Sequence, residues 1–249
     1  MVGLMRMYTT KERDAAVLQA RTLLARTRAE LLRSKSGGPS GKAGDIVAEI
    51  ESRLISGHYH FGDSLSINRL AEEFDASRQP ISAALNHLRS LGYLTITPQV
   101  GCHVVSPSTL EINDFFYMLG KIQSAVAGLA AERHVDEESD VLTALAKHIW
   151  AVSIEHDSRE ELTLGVDAYH QQVLSMARSP ALEQRVTNLW HLADFYLWQG
   201  VSNLDVERIN AANSERRFVA EAIASRDIPL AEQLMENHVR GKPHRLGIV

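Results

Sequence analysis

Cysteine is nearly absent from this sequence, since Cys102 is the only one among 249 residues. A single thiol cannot form an intrachain disulfide and cannot build a cysteine-rich zinc site. No apolar run approaches the roughly eighteen residues of a membrane-spanning helix. Residues 1–11 lack the apolar stretch of a secretory signal. We therefore expect a protein that works in the reducing cytoplasm without a membrane partner.

The motifs of common catalytic sites are missing as well. The sequence has no glycine-rich phosphate loop, no Gly-x-Ser-x-Gly elbow and no His-Glu-x-x-His pair. We therefore expect that the protein is not an enzyme. One alternative stays open, a helical metal enzyme that uses His170, Asp167, His191 and His238. Metal-dependent turnover without DNA binding would favour that alternative.

Charge is distributed unevenly along the chain. Residues 1–43 hold nine Lys and Arg against three Asp and Glu, whereas residues 44–107 hold four against seven. Residues 108–249 hold thirteen against twenty-one. A basic arm in front of an acidic body raises the question of an anionic partner such as nucleic acid.

The basic arm contains one predicted helix and a linker. Thr9 to Glu12 form a capping-box pattern, which predicts a helix that continues to about Leu32. Residues 34–41 are rich in Ser and Gly and predict a flexible linker. Two roles remain open: the arm supplies attraction for DNA phosphates, or its apolar stripe docks on a partner subunit. That stripe consists of Val17, Leu24 and Leu31.

Residues 44–107 predict three helices followed by a β-hairpin. Apolar residues recur at helical spacing at Ile46, Ile50 and Leu54, and Gly57 ends this first helix. Ser66 and Ser77 are placed to cap the second and third helices. Gly92 stops the third helix, and two β-prone stretches at 93–97 and 102–105 surround a turn. This order is that of a winged helix-turn-helix.

One face of the third helix is suited to reading DNA bases. Its polar residues recur on the face opposite the apolar residues Ile81, Leu85 and Leu88. Arginine pairs well with guanine, and asparagine or glutamine with adenine, when a helix enters the major groove. The candidate DNA-binding residues are Ser77, Arg78, Gln79, Ser82, Asn86 and Arg89 of this helix, with Gln99 and Gly101 of the hairpin.

About sixty consecutive residues here resemble the DNA-binding half of the GntR family of bacterial regulators. The matching stretches are 62–65 (Gly-Asp-Ser-Leu), 70–74 (Leu-Ala-Glu-Glu-Phe), 77–80 (Ser-Arg-Gln-Pro) and 92–94 (Gly-Tyr-Leu). The chain departs from the family at Ser82-Ala83, where the family usually has Arg followed by Glu. We therefore expect an operator that differs from the usual family site. With only four Lys and Arg in this segment, phosphate affinity should be modest.

Residues 108–249 predict helices only, at about 110–133, 139–155, 160–177, 180–199, 204–225 and 228–240. They resemble the FadR-type (FCD) effector domain of the same family, chiefly at 130–133 (Ala-Ala-Glu-Arg) and at Tyr169-His170. The expected fold is thus mainly α, an N-terminal winged helix-turn-helix plus an all-helical C-terminal bundle. The resemblance implies a homodimer on a pseudo-palindromic DNA operator, controlled by a small ligand.

The same resemblance implies a metal held by one Asp and three His, but only half of that set is present. His170 and His238 match two ligands, whereas Arg216 and Val166 stand where the other His and the Asp would be. Three interpretations remain open. A metal-free pocket would bind a small carboxylate through Arg216 with Tyr169, His170 and His238, and no cofactor would be needed. A shifted divalent-metal site would use His170, His238 and Asp167. The third interpretation is packing only.

Two further features have simpler interpretations. An aromatic group on the fourth predicted C-terminal helix lines a pocket, belongs to a core or forms a dimer interface. It comprises Trp190, Phe195, Tyr196 and Trp198, with His191 and Asp194 nearby. Cys102 is expected to be a small buried apolar residue of the hairpin.

Overall fold

A computed structural model describes residues 39–98, 101–154, 159–200, 206–245 and 247. The predicted arm helix and Gln99 lie outside the described residues. The chain divides into two compact units. The winged-helix unit contains the described residues up to Ile122, Pro180–Gly200 and those from Val239 onward, and the bundle unit contains Gln123–Ser179 and Val206–His238. This division differs from the predicted segments 1–43, 44–107 and 108–249, whose boundaries remain a prediction.

The winged-helix unit confirms the predicted order of three helices and a hairpin. Its three strands form an antiparallel sheet with Gly101–Val104 in the middle, where Cys102 pairs with Leu65 on one side and Ile96 on the other. The two-residue strand Ser64–Leu65 was not predicted, because so short a strand has no periodic pattern. The elements are α1 (Lys42–Ile55), β1 (Ser64–Leu65), α2 (Ile67–Glu73), α3 (Arg78–Ser90), β2 (Leu94–Thr97) and β3 (Gly101–Val104).

Local sequence explains where these helices begin and end. Gly57 and Gly92 follow α1 and α3 with φ angles of 78° and 92°, a region that favours glycine. The Ser66 hydroxyl caps α2 by accepting a hydrogen bond from the N–H of Arg69. Ser77 does occupy the N-cap position of α3. The expectation that its side chain caps the helix is wrong, because its hydroxyl accepts no capping hydrogen bond.

The apolar core of the winged-helix unit lies between α1, α3 and the sheet. The predicted inward residues of α1 and α3 are at most 1% exposed. Burial of each such side chain contributes about 1.5–3 kcal/mol of hydrophobic stabilisation. Cys102 is buried in the same cluster, as predicted, and burial raises the pKa of its thiol to about 11. The inward helix residues are Ile46, Ile50, Leu54, Ile81, Leu85 and Leu88.

The helices that follow begin and end within three residues of their predicted bounds. Pro180 occupies the first position of its helix, and the Asp227 carboxylate accepts a capping hydrogen bond from the N–H of Leu230. A final short helix was not predicted. None of the helices in the described part of the chain has the length and apolarity to cross a bilayer. The helices are α4 (Thr109–Arg133), α5 (Asp136–Ile154), α6 (Arg159–Met176), α7 (Pro180–Gly200), α8 (Val206–Ala224), α9 (Ile228–Arg240) and α10 (Lys242–Arg245).

The bundle unit is built around α5, which packs against both α6 and α8. Its core is aliphatic and includes Leu142 and Leu145 of α5, Val173 of α6 and Ile223 of α8, all fully buried. A core of this kind excludes water from any polar group inside it, so such groups need partners. Helices α6, α8 and α9 carry several buried polar residues, and these residues are the candidates for a binding site in this unit.

Candidate functional site

The first candidate surface is the polar face of α3. Arg78, Gln79, Asn86 and Arg89 are exposed, and Ser82 is half-buried between them. The opposite face of α3 is sealed in the winged-helix core, so the orientation of this polar face is fixed by packing. A rigid helix that presents guanidinium and amide groups on one side can read base edges in a major groove.

Asn86 and Arg78 occupy different positions on this face. The Asn86 amide donates a hydrogen bond to the Ser82 carbonyl oxygen at 2.9 Å, one turn back along α3. That bond must be exchanged if the amide is to read an adenine. Arg78 lies in the first turn of α3, the end that approaches bases in a helix-turn-helix.

The tip of the hairpin completes this candidate nucleic-acid interface. Gly101 is exposed and has a φ of 128°, a conformation that side chains with a Cβ rarely adopt. It starts β3 opposite Thr97 of β2. The wing, which is the hairpin of β2 and β3, therefore contains a backbone position that can approach a phosphate or sugar closely.

The second candidate site is a buried polar cluster in the bundle unit. Tyr169 and His170 lie on α6, Arg216 on α8 and His238 on α9. All four are buried, with Tyr169 fully so and the others 1–6% exposed. The His170 and His238 rings stack with centroids 6.2 Å apart. Three helices thus bring the predicted effector residues into one unit.

Tyr169 links two helices of this cluster, and its effector-binding role stays a prediction. Its hydroxyl donates a hydrogen bond at 2.9 Å to the backbone carbonyl oxygen of Arg216. Burial raises the pKa of the Tyr169 phenol, so the proton that makes this bond is retained. Tyr169 therefore ties α6 to α8 and positions the stretch that carries Arg216.

Sequence reasoning missed two members of the cluster, Asn213 and Glu215 on α8. The Asn213 side-chain oxygen accepts a hydrogen bond from Arg216 Nη1. Glu215 Oε2 lies 2.9 Å from His238 Nδ1, within hydrogen-bond distance. The only sequence signal for Asn213 was its spacing, since it precedes Arg216 by about one helical turn and the two side chains therefore lie on the same face of α8.

The residues present do not fit the four-ligand metal site that the resemblance implies. Val166 has no donor atom, and the guanidinium of Arg216 stays protonated at physiological pH. Among the described residues, no group of three or more His, Cys, Asp and Glu is arranged to hold a metal. Asp167 is buried beside this cluster on α6, one turn before His170. A positive charge in place of a ligand disfavours an adjacent cation.

Phe195 and Tyr196 of the aromatic group of α7 belong to a core rather than to a pocket. Phe195 is fully buried and joins Tyr196 and Leu192 against the winged helix. His191 lies 3.5 Å from Glu51 of α1, in the winged-helix unit. The four residues of the enzyme alternative therefore fall in different compact units, because His170, Asp167 and His238 belong to the bundle unit.

Comparison with known proteins assigns both parts of the chain. Residues 42–104 match the bacterial regulatory proteins of the gntR family, and residues 114–241 match the FCD domain. The chain belongs to the GntR family. It is a transcription regulator with an FCD domain, as the sequence resemblance predicted.

Relatives of this GntR regulator are themselves transcription regulators. It is 26% identical over 195 residues to the HTH-type transcriptional repressor GlaR of Escherichia coli K12, an alignment that covers 76% of this chain and 89% of that one. It is 28% identical to the gluconate operon transcriptional repressor of Bacillus licheniformis, over about half of each chain. These names contradict the enzyme alternative and confirm the prediction that the protein is not an enzyme.

Solved structures confirm the fold. E. coli McbR/YncC has a TM-score of 0.69 at 15% identity, covering 84% of this chain and 99% of that one. A putative GntR regulator from Rhodococcus sp. RHA1 has a TM-score of 0.64 at 16% identity, with coverage of 84% and 100%. The mainly helical fold with an N-terminal winged helix-turn-helix is therefore shared.

Proposed function

We propose that this regulator binds a pseudo-palindromic operator in the cytoplasm as a homodimer, with one α3 in each of two half-sites. The observation that carries the proposal is the exposed polar face of α3 above the apolar cluster of the winged-helix unit. Two recognition helices about one DNA turn apart require a two-fold arrangement of subunits. The acidic net charge of this segment means that phosphate attraction alone is weak, so base contacts carry more of the affinity.

Capture of genomic fragments by the purified protein tests the DNA part of this proposal. The recovered fragments should share an inverted repeat, and footprinting should protect both halves. Light scattering of the complex gives the number of subunits per repeat. Recovery of random fragments, or protection of a single half-site by a monomer, would contradict the proposal.

We further propose that the polar cluster of the bundle unit binds a small organic acid without a metal cofactor. Arg216 supports this, because it is a buried, permanently protonated guanidinium held by Asn213 on the same helix. The stacked rings of His170 and His238, with centroids 6.2 Å apart, would add hydrogen bonds to the same anion. A relative named for a gluconate operon makes sugar acids reasonable first probes.

The effector proposal is tested with gluconate and other small hydroxy acids in an operator-release assay. Arg216→Ala should abolish the response to an active acid while leaving operator affinity nearly unchanged, because Arg216 and α3 lie in different compact units. Arg217→Ala is the matched control, since Arg217 is the neighbouring but exposed arginine of α8. An equal loss in both variants would contradict the assignment. Stoichiometric zinc that is lost on mutating His170 would instead support the shifted site with Asp167.

A further inference from the structure

Helix α7 lies far from the winged helix in sequence but packs inside its unit. The FCD match includes α7, yet two of its residues, Leu192 and Phe195, belong to the hydrophobic cluster formed by α1, α3 and the sheet. The hydrophobic core of the winged helix therefore includes residues from outside the 42–104 segment.

Phe195 and Leu192 pack against the residues that follow the recognition helix, α3. The Phe195 ring meets the ring of Tyr93 edge-on, with centroids 5.3 Å apart. Helix α3 ends at Ser90, and Gly92 and Tyr93 follow its C-cap residue Leu91. A Cβ on Gly92 would lie only 3.1 Å from a methyl group of Leu192, so α7 closely approaches the point where α3 turns into β2.

Gln199 contacts the loop that leads to the wing. Its amide nitrogen donates hydrogen bonds to the carbonyl oxygens of Leu54 at 3.1 Å and Tyr59 at 2.7 Å. Its amide oxygen accepts one from the N–H of Phe61 at 3.2 Å. These three backbone groups span the end of α1 and the loop before β1, and β1 pairs with β3 of the wing.

A buried carboxylate adds a polar link at the same place. Glu51 of α1 is 5% exposed and accepts a hydrogen bond from the Tyr93 hydroxyl at 2.9 Å. His191 of α7 lies 3.5 Å from the same carboxylate oxygen. Helix α7 thus contacts α1, Tyr93 in the turn between α3 and β2, and the loop before β1.

We propose that α7 is a structural part of the DNA-reading unit, in which Gln199 and Phe195 are positioning residues that hold α3 and the wing in their relative orientation. This inference rests on the DNA-binding function proposed above.

Cys102 is a built-in reporter for the structural part of this proposal. It is the only cysteine of the chain, it is 5% exposed, and burial raises the pKa of its thiol to about 11. Alkylation in the full-length protein therefore requires the sheet to open. The measurement needs neither DNA nor effector, so its outcome is independent of whether the proposed function is correct.

Gln199→Glu is the decisive variant, because it keeps the side-chain shape but places a carboxylate oxygen against two carbonyl oxygens. We expect Cys102 alkylation to accelerate about tenfold or more while the circular dichroism of the helices is unchanged. Phe195→Leu, which keeps an apolar side chain, should accelerate alkylation less. Asn188→Asp makes the same amide-to-acid change elsewhere on α7 and should leave the rate within about twofold. A Gln199→Glu rate equal to that of Asn188→Asp would overturn the proposal.

Operator binding tests the positioning role itself. Gln199→Glu should lower the ratio of operator affinity to random-DNA affinity about tenfold, while binding to random DNA changes by less than about threefold, because phosphate contacts tolerate a misplaced wing. Equal losses on both DNAs, or an unchanged ratio, would overturn the positioning role. If the wild type itself shows no operator preference, the proposed function fails while the alkylation result still decides the place of α7.

Discussion

The polar face of α3 and the polar cluster of the bundle unit are both formed by helical residues, but they are built in opposite ways. The α3 residues are exposed, and an apolar core behind them fixes their direction. The cluster residues are buried, and hydrogen bonds such as those from Tyr169 to Arg216 and from Arg216 to Asn213 fix theirs. A surface site can change its specificity by single substitutions, whereas a buried cluster must keep its partners matched.

The largest expected effect is the creation of a metal site in the bundle unit. Val166→Asp combined with Arg216→His would supply the two ligands that the family resemblance implies but this chain lacks. Bound zinc, measured by elemental analysis after dialysis, should rise from little to about one equivalent per chain. Arg216→His alone is the control and should bind less. Stoichiometric zinc in the unmodified protein would show that the cluster already holds metal. That result would contradict the proposal that the cluster binds an organic acid without a metal.

The next effect concerns the core that supports α3. Leu85→Ala should lower the free energy of unfolding by about 2–5 kcal/mol, because it leaves a cavity among the core residues of α1 and α3. The apolar core residues of these two helices are at most 1% exposed. Ala83→Ser on the exposed face should change the free energy of unfolding by less than about 0.5 kcal/mol. Urea unfolding followed by circular dichroism measures both. Equal effects would mean that the face opposite the polar residues is not the buried one.

The smallest effect is a local pH dependence at the start of α4. The pKa of Glu111 lies below its ordinary value of 4.5, because the backbone N–H and the hydroxyl of Ser108 donate hydrogen bonds to its carboxylate. A lowered folded-state pKa stabilises the fold above the unfolded value, and this contribution is lost as the pH falls through the folded value. Ser108→Ala should move the Glu111 pKa toward 4.5 in an NMR titration. An unchanged Glu111 pKa in this variant would mean that the Ser108 hydroxyl does not contribute to the lowered pKa.

The sequence predicted the α3 face well because its information is local. A 3.6-residue period separates Ile81, Leu85 and Leu88 from Arg78 and Asn86, and burial in the structure follows that period. Gly57 and Gly92 likewise end helices where their conformational freedom is needed. The side-chain hydrogen bond expected at Ser77 is absent, because a residue at an N-cap position need not use its hydroxyl there.

The buried cluster was predictable only through resemblance, and only in part. Which side chain meets His238 depends on how α8 and α9 pack, so nothing in the sequence pointed to Glu215. The packing of α7 in the winged-helix core could not be predicted, for a similar reason. Apolar periodicity shows that Leu192 and Phe195 are buried, but it does not say against which helices.

The reading of bases by α3, whose position is set by the winged-helix core, is tested most directly at Arg78. Affinities of wild type, Arg78→Ala and Arg69→Ala should be measured on the captured operator and on random DNA at one salt concentration. Arg69 is an exposed arginine on α2 and serves as the control. Arg78→Ala should cost about 1–3 kcal/mol on the operator alone and relax preference at one base pair, whereas Arg69→Ala should affect both DNAs alike. Equal losses on both DNAs for Arg78→Ala would contradict base reading by α3.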